Sequence, residues 1–252
     1  MKIPTLVAHR GDMEHYPENS LIGLESALRA GACVIEFDLQ MTADGEFLLL
    51  HEPDLKRTAG WDINVFELSA GQLAGVSVHE PERFGKRFAS TPIARLGEVL
   101  ELLGRCPKAG ALVEIKVESL DRWGLEAVME RLLKILQPFW SQCTLISRVP
   151  EALAYARLRV GGPIGLVLHR YDGPHRQKAM ELAPELLICN QRKIGEMTQP
   201  WPGRWHWMLY DITDPARALA WAEKGVEFIE TRDIGTLLKD PRLARKACYH
   251  GL

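Results

Sequence analysis

Two rhythms of apolar and polar residues alternate along the chain. Short runs rich in aliphatic and β-branched residues are separated by stretches in which apolar residues recur every three or four positions, the signatures of strands and amphipathic helices. The strand-like runs are Thr5 to Ala8, 33 to 40 (CVIEFDLQ), 46 to 51 (EFLLLH), Ala111 to Lys116, Cys143 to Ile146, Ile164 to Leu168, Leu186 to Cys189, Trp207 to Tyr210 and Phe228 to Thr231. Asp44-Gly45 between the second and third is a short-hairpin turn, so 46 to 51 returns antiparallel. Setting that arm aside leaves eight strands, the number that a closed parallel barrel needs. The pattern predicts a TIM-type (β/α)8 barrel in one domain over residues 1–252, with a β-hairpin extension after its second strand.

The helices have readable ends. Asn19 or Ser20 caps a helix whose apolar stripe is Leu21, Leu24 and Leu28, and Gly31 stops it. Asp214-Pro215 opens another that closes near Gly225, and Leu96, Val99, Leu100 and Leu103 mark a third. From about Glu52 to Arg95 the alternation breaks, which reads as an excursion over the barrel mouth, either lid or decoration. Lys193 to Arg204 carries no pattern and stays unassigned.

Polar residues interrupt the apolar runs at particular places. Glu36 and Asp38 share one face of their strand, while Ile35, Phe37 and Leu39 share the other. If the turn centres on Asp44-Gly45, opposed residues sum to 89, which sets Asp38 across from His51. Leu112, Glu114 and Lys116 likewise share a face, and His9-Arg10 follows the first strand. In a barrel the carboxyl ends of strands meet at one mouth, so this pattern predicts three carboxylates, one ammonium, one guanidinium and two imidazoles there. Like charges about 4 Å apart repel by roughly 1 to 4 kcal/mol. Lys116 offsets one of the three carboxylates and leaves an excess of two, which one divalent ion would neutralise. Oxygen-only ligation favours Mg²⁺, Ca²⁺ or Mn²⁺ over Zn²⁺. The competing reading is a polar network that only closes the barrel end. Charges set in apolar strands are costly unless paired, and two histidines accompany these, so a functional site is the better account.

Other polar and aromatic residues read more plainly. His15, His79, His169, His175, His206 and His250 stand alone and read as surface or satisfied core, and Asp12, Glu14 and Glu18 as solvated loop acids. Trp207 and Tyr210 are packing residues of their strand or walls of a substrate pocket, and Trp201, Trp205 and Trp207 are packing or an apolar rim.

Bulk composition narrows the setting. The formal net charge is −2, which gives no electrostatic reason to expect nucleic acid or an anionic membrane as a general partner. Five cysteines, odd in number and far apart, read as reduced thiols of a cytoplasmic protein. No signal-peptide core opens the chain, and no run approaches the roughly 20 apolar residues that span a bilayer, so no stable membrane association is expected.

The motifs together resemble the glycerophosphodiester phosphodiesterase family. The resemblance rests on His9-Arg10-Gly11, Pro17-Glu18-Asn19-Ser20, Glu36-x-Asp38, Thr42-x-Asp44-Gly45, His51-Glu52, Arg57-Thr58-x-Gly60 and Glu114-Ile115-Lys116. Ser147, Trp207 and Thr231 also fall at family positions, but the usual Trp-Thr-Val-Asn run is Trp207-Met208-Leu209-Tyr210, and Arg232 replaces the usual Asp. The resemblance implies a TIM-type barrel of cytosolic bacterial type, acting on a small-molecule glycerophosphodiester to give glycerol 3-phosphate and an alcohol. It implies that Glu36, Asp38 and Glu114 hold a divalent cation, that Arg10, Lys116 and Trp207 bind substrate, and that His9 and His51 act as general base and acid. In related enzymes the nucleophile is water or the substrate's own glycerol hydroxyl, through a cyclic phosphate. Two other readings are a lysophospholipase D or transphosphatidylase on the same barrel, and a non-catalytic ligand-binding barrel.

Overall fold

Nine strands form one sheet in the computed structural model, which describes residues 2–195, 198–248 and 250. They are β1 (Thr5–Ala8), β2 (Val34–Met41), β3 (Phe47–Leu49), β4 (Gly110–Ile115), β5 (Cys143–Ser147), β6 (Ile164–Val167), β7 (Leu186–Asn190), β8 (His206–Tyr210) and β9 (Phe228–Thr231). Every neighbouring pair except β2–β3 is parallel, and β1 pairs with both β2 and β9, so eight strands close into a TIM-type barrel. Val7, Leu112, Ile146, Val167, Leu186, Ile188 and Met208 fill its interior. The alternate residues, such as Ile35, Phe37, Leu39, Val113 and Ile115, are buried in the larger layer between barrel and helices.

Helix ends follow the local sequence. The Ser20 hydroxyl accepts the Gly23 N–H at 3.1 Å and caps Leu21–Ala30, and Gly31 in the left-handed region ends it. Asp214 caps Pro215–Glu223 in the same way. The unassigned stretch opens on the end of a helical turn, Gln191–Ile194, and its Trp201, like the adjoining Trp205, packs on the core. Glu196 and Met197 of that stretch lie outside the described residues.

The hairpin register is one residue off the expected one. Leu39 faces Leu49 and Met41 faces Phe47, so opposed residues sum to 88 and Asp38 stands level with Leu50, not His51. Three residues, 43–45, form the loop, because Thr42 N–H bonds the Glu46 carbonyl at 2.9 Å and Gly45 takes φ +81°. Asp44 is tied down by the Thr42 hydroxyl at 2.6 Å and by the Ala70 N–H at 3.0 Å, the second a contact from a distant segment.

The excursion is neither a bare loop nor a loose flap. Leu48, Leu50, Leu55, Val65, Phe66, Leu73, Val76, Val78 and Ile93 give it a hydrophobic cluster of its own beside β3. That cluster fixes the segment carrying Arg57 and Glu80 against the mouth.

A second correction concerns the cysteines. Cys33 and Cys248 are joined in a disulfide with Cα atoms 4.9 Å apart, although 215 residues separate them. The chain end returns to the start of β2, where Cys248 N–H bonds the Gly31 carbonyl at 2.8 Å. Cys106, Cys143 and Cys189 are free and buried. Reduced thiols therefore no longer argue for a cytoplasmic protein. Among the described residues no helix is long and apolar enough to cross a membrane.

Candidate active site

The chain leaves β1 through a turn that only particular residues allow. Arg10 and Gly11 both take positive φ, 53° and 84°. A Cβ on Gly11 would lie 2.7 Å from the Gly23 backbone, so glycine lets this turn close on the next helix. The turn throws Arg10 across the barrel mouth. Its N–H donates to Glu36 Oε2 at 2.9 Å, its Nε lies 3.0 Å from Asp38 Oδ2, and its guanidinium reaches Glu18 at 3.0 Å.

Parallel register brings the acids together. Asp38 on β2 stands level with Glu114 on β4, and Glu36 with Leu112, so all three carboxyl groups face the barrel axis near its mouth. One oxygen from each of Glu36, Asp38 and Glu114 lies within 4.8 Å of the others. Lys116 Nζ lies 3.3 Å from Asp38 and 3.1 Å from Glu114. Asn19, another residue with positive φ, donates its amide to Asp38 Oδ2 at 3.0 Å and accepts the Asp38 N–H at 3.1 Å.

Burial and charge set these acids apart. Burial first, then the charges of Asp38, Glu230 and Glu114, push the Glu36 carboxyl well above the usual range. Glu114 is raised as well, mainly by burial, with Lys116 opposing. Asp38 is held low: burial works against ionisation, but Arg10 and Lys116 outweigh it.

His9 and His51 line the same cavity. Burial, then Arg10, push the His9 imidazole down to about 3, so it is neutral at neutral pH. His51 lies past the end of β3, where the chain bends into the mouth. The Gln40 amide holds its carbonyl at 3.1 Å, and its Nδ1 meets Glu52 at 2.8 Å. The Nδ1–H thus donates to the ionised Glu52 carboxylate, and Nε2 is the ring nitrogen left to face a ligand. The His51 hydrogen bond, opposed by burial, and then Arg57 bring the Glu52 carboxyl down to about 2. Arg57 also donates to both oxygens of Glu18, at 2.8 and 2.6 Å, which closes a chain from the excursion back to Arg10.

Residues 9–184 match the glycerophosphoryl diester phosphodiesterase family, well over half of the chain. The chain belongs to this family. It is 30% identical over 141 residues to a glycerophosphodiester phosphodiesterase of Caldanaerobacter subterraneus subsp. tengcongensis, covering 53% of each sequence. It is 32% identical over 140 residues to that of Bacillus subtilis, covering 52% of this chain and 45% of the relative. The chain spans about half the length of the curated relatives it matches. Its fold is similar to that of an Oleispira antarctica phosphodiesterase solved with sn-glycerol-3-phosphate, with a TM-score of 0.80, 20% identity and coverage of 94% and 96% of the two chains. A glycerophosphodiester phosphodiesterase of Agrobacterium tumefaciens gives a TM-score of 0.75 at 20% identity, over 94% of this chain and 100% of the other.

Of the site residues expected by resemblance to the glycerophosphodiester phosphodiesterases, seven gather at the mouth: His9, Arg10, Glu36, Asp38, His51, Glu114 and Lys116. Trp207 does not. It is buried in the outer layer with Leu209, its indole N–H donates to the Trp201 carbonyl at 2.8 Å, and its ring packs on Tyr171, Trp201 and Trp205. Period-two alternation on β8 turns Met208 and Tyr210 into the cavity instead. The same packing removes the idea of an apolar tryptophan rim. Arg148, Asp211 and Glu230 also line the cavity and were not anticipated. Glu230 carried a readable signal, an acid inside the apolar run Phe228-Ile229-Glu230, whereas Arg148 and Asp211 sit just beyond strand ends, where any polar residue is ordinary. Glu18, expected to be a solvated acid, is 5% exposed between two arginines.

Proposed function

We propose that the protein hydrolyses glycerophosphodiesters to glycerol 3-phosphate and an alcohol in a divalent-metal-dependent reaction. The observation that carries this reading is three carboxylate oxygens within 4.8 Å of one another, beside two imidazoles on one cavity. The donor set fits a hard cation. Metal–oxygen bonds of about 2.1 to 2.5 Å place ligand oxygens up to about 5 Å apart, and a cation there would favour the ionised form of Glu36 and Glu114 that burial disfavours. Glu36, Asp38 and Glu114 are the residues that would hold it. Bound there, Mg²⁺, Ca²⁺ or Mn²⁺ supplies positive charge to the phosphate oxygens.

The chain's own groups do the rest. Arg10 and Lys116 offer N–H donors to the non-bridging oxygens and oppose the charge that develops on them. His9, neutral, accepts the proton of the attacking group, either water or the substrate's own glycerol hydroxyl; in the second case a cyclic phosphate forms and water then opens it to glycerol 3-phosphate. His51, its ring fixed by Glu52, gives a proton to the oxygen that departs as the phosphorus–oxygen bond breaks, so no free alkoxide is released. Arg57 acts at one remove, as a positioning residue for Glu52.

Selectivity separates this reaction from the neighbouring ones. Glycerol 3-phosphate should appear from glycerophosphocholine, glycerophosphoethanolamine and glycerophosphoglycerol, because the family motifs are kept around the phosphate and lapse later in the chain, at Trp207-Met208-Leu209-Tyr210 and Arg232. A coupled assay for glycerol 3-phosphate reads this directly. Faster turnover of lysophosphatidylcholine would favour the lysophospholipase D reading, and equal rates on bis-alkyl phosphodiesters would contradict recognition of the glycerol end.

A further inference from the structure

Glu230 is a buried acid at the mouth that the proposed reaction leaves without a task. It sits on β9 level with Val7 of β1, turned inward, and lines the cavity floor beside Glu36, Ile188 and Met208. The residue is 4% exposed, and its Oε1 has no hydrogen-bond partner among the described residues. A buried polar atom without a partner is costly and calls for one. Strand pairing uses only its backbone, so the side chain is free to serve a ligand.

The nature of that ligand follows from charge and shape. Arg10, Lys116, Arg148 and one divalent ion together match Glu36, Asp38, Glu114, Asp211 and Glu230, so no charge is left over to call for a further cation. Glu230 lies too far from the others to share their ligand cluster. The partner is therefore a neutral group. A hydroxyl both donates and accepts, so it pairs with a carboxyl group whether or not that group is ionised. Val167, Ile188 and Met208 form an apolar wall on the same cavity, fitted to the carbon face of a small polyol.

We propose that Glu230 is a specificity-determining residue that takes a hydroxyl of the substrate's glycerol end, an inference that rests on the phosphodiesterase reading above. A site built around such a contact rejects an analogue lacking the hydroxyl, because the buried carboxyl is then left unpaired. The test is calorimetric binding of glycerol 3-phosphate and of n-propyl phosphate in saturating Mg²⁺. The wild type should prefer glycerol 3-phosphate over n-propyl phosphate, which lacks both hydroxyls, by about 10- to 100-fold, the scale expected if one of the two is held by a buried hydrogen bond. Glu230→Ile should bring the two affinities within about threefold, mainly by weakening glycerol 3-phosphate, and Glu230→Gln, which keeps a polar partner, should retain most of the preference. Circular dichroism reports whether each variant folds, and removal of a buried unpaired acid favours folding. An unchanged ratio in a folded Glu230→Ile, or no preference in the wild type, overturns the assignment while leaving the phosphodiesterase reading in place. Failure of the wild type to bind either ester overturns both.

Discussion

Glu36→Gln and Glu114→Gln are each expected to lower turnover by about 10²- to 10³-fold, the scale of losing one preorganised charge contact at the reacting centre. The amide keeps the size of the side chain and removes one anionic oxygen donor from a cluster only 4.8 Å across. Calorimetric titration with Mn²⁺ should show weaker binding in both variants. Stability should move the other way. Both acids titrate above the ordinary range because they are buried, so the folded state holds more protons than the unfolded one. Without metal, stability then falls as pH rises from the unfolded carboxylate pKa towards the raised one. The neutral amide escapes that loss. The metal-free variants should therefore melt at or above the wild-type temperature at neutral pH, and collapse of both would favour a purely structural network.

The histidines should separate by leaving group. His51→Ala is expected to lose roughly 10²- to 10⁴-fold on natural glycerophosphodiesters, the usual range for general acid catalysis, because an alkoxide departs poorly without a proton. A nitrophenolate needs no proton to leave. On a glycerophospho-nitrophenyl ester the same variant should recover much of its rate, whereas His9→Ala should stay slow on both substrates. The assignment rests on placement: Glu52 fixes the His51 ring at 2.8 Å beyond β3, and His9 stands next to Arg10, on the side where the nucleophile is proposed to bind. Rescue of His9→Ala instead would reverse the roles, and rescue of neither would remove the acid and base scheme.

Much of this arrangement was legible because it depends on local rules. Strand alternation put Glu36 and Asp38 on one face, and parallel pairing then set Asp38 level with Glu114. Ser20 and Gly31 ended their helix as their chemistry requires. What stayed hidden depends on contacts between distant segments. The hairpin register slips by one residue because the turn is a three-residue loop with Gly45 at φ +81°, and the Ala70 N–H, 26 residues away, holds Asp44 in it. Had the strand simply continued, that slip would have carried His51 to the wrong face. It reaches the mouth because pairing stops at Leu49 and Gln40 holds the bent chain. The Cys33–Cys248 disulfide closes across nearly the whole chain, which spacing alone does not show. Trp207 was misplaced for a different reason: resemblance at one position outweighed the alternation that turns Met208 and Tyr210 inward.

The role of Arg57 was hidden in the same way. The motif Arg57-Thr58-x-Gly60 belongs to the family resemblance but assigns Arg57 no task. The structure shows it bonded to Glu18 and Glu52, one step behind Arg10 and His51. Groups at this remove orient those that touch the ligand, and their loss typically costs 10- to 100-fold in related settings.

The most direct measurement is phosphorus NMR of glycerophosphocholine incubated with metal-stripped wild-type protein, to which Mg²⁺, Ca²⁺ or Mn²⁺ is then added. The phosphodiester resonance should persist unchanged before the addition and convert to that of glycerol 3-phosphate after it. Conversion at full rate by the stripped protein, or none with any of the three ions, would contradict a metal-dependent phosphodiesterase centred on Glu36, Asp38 and Glu114.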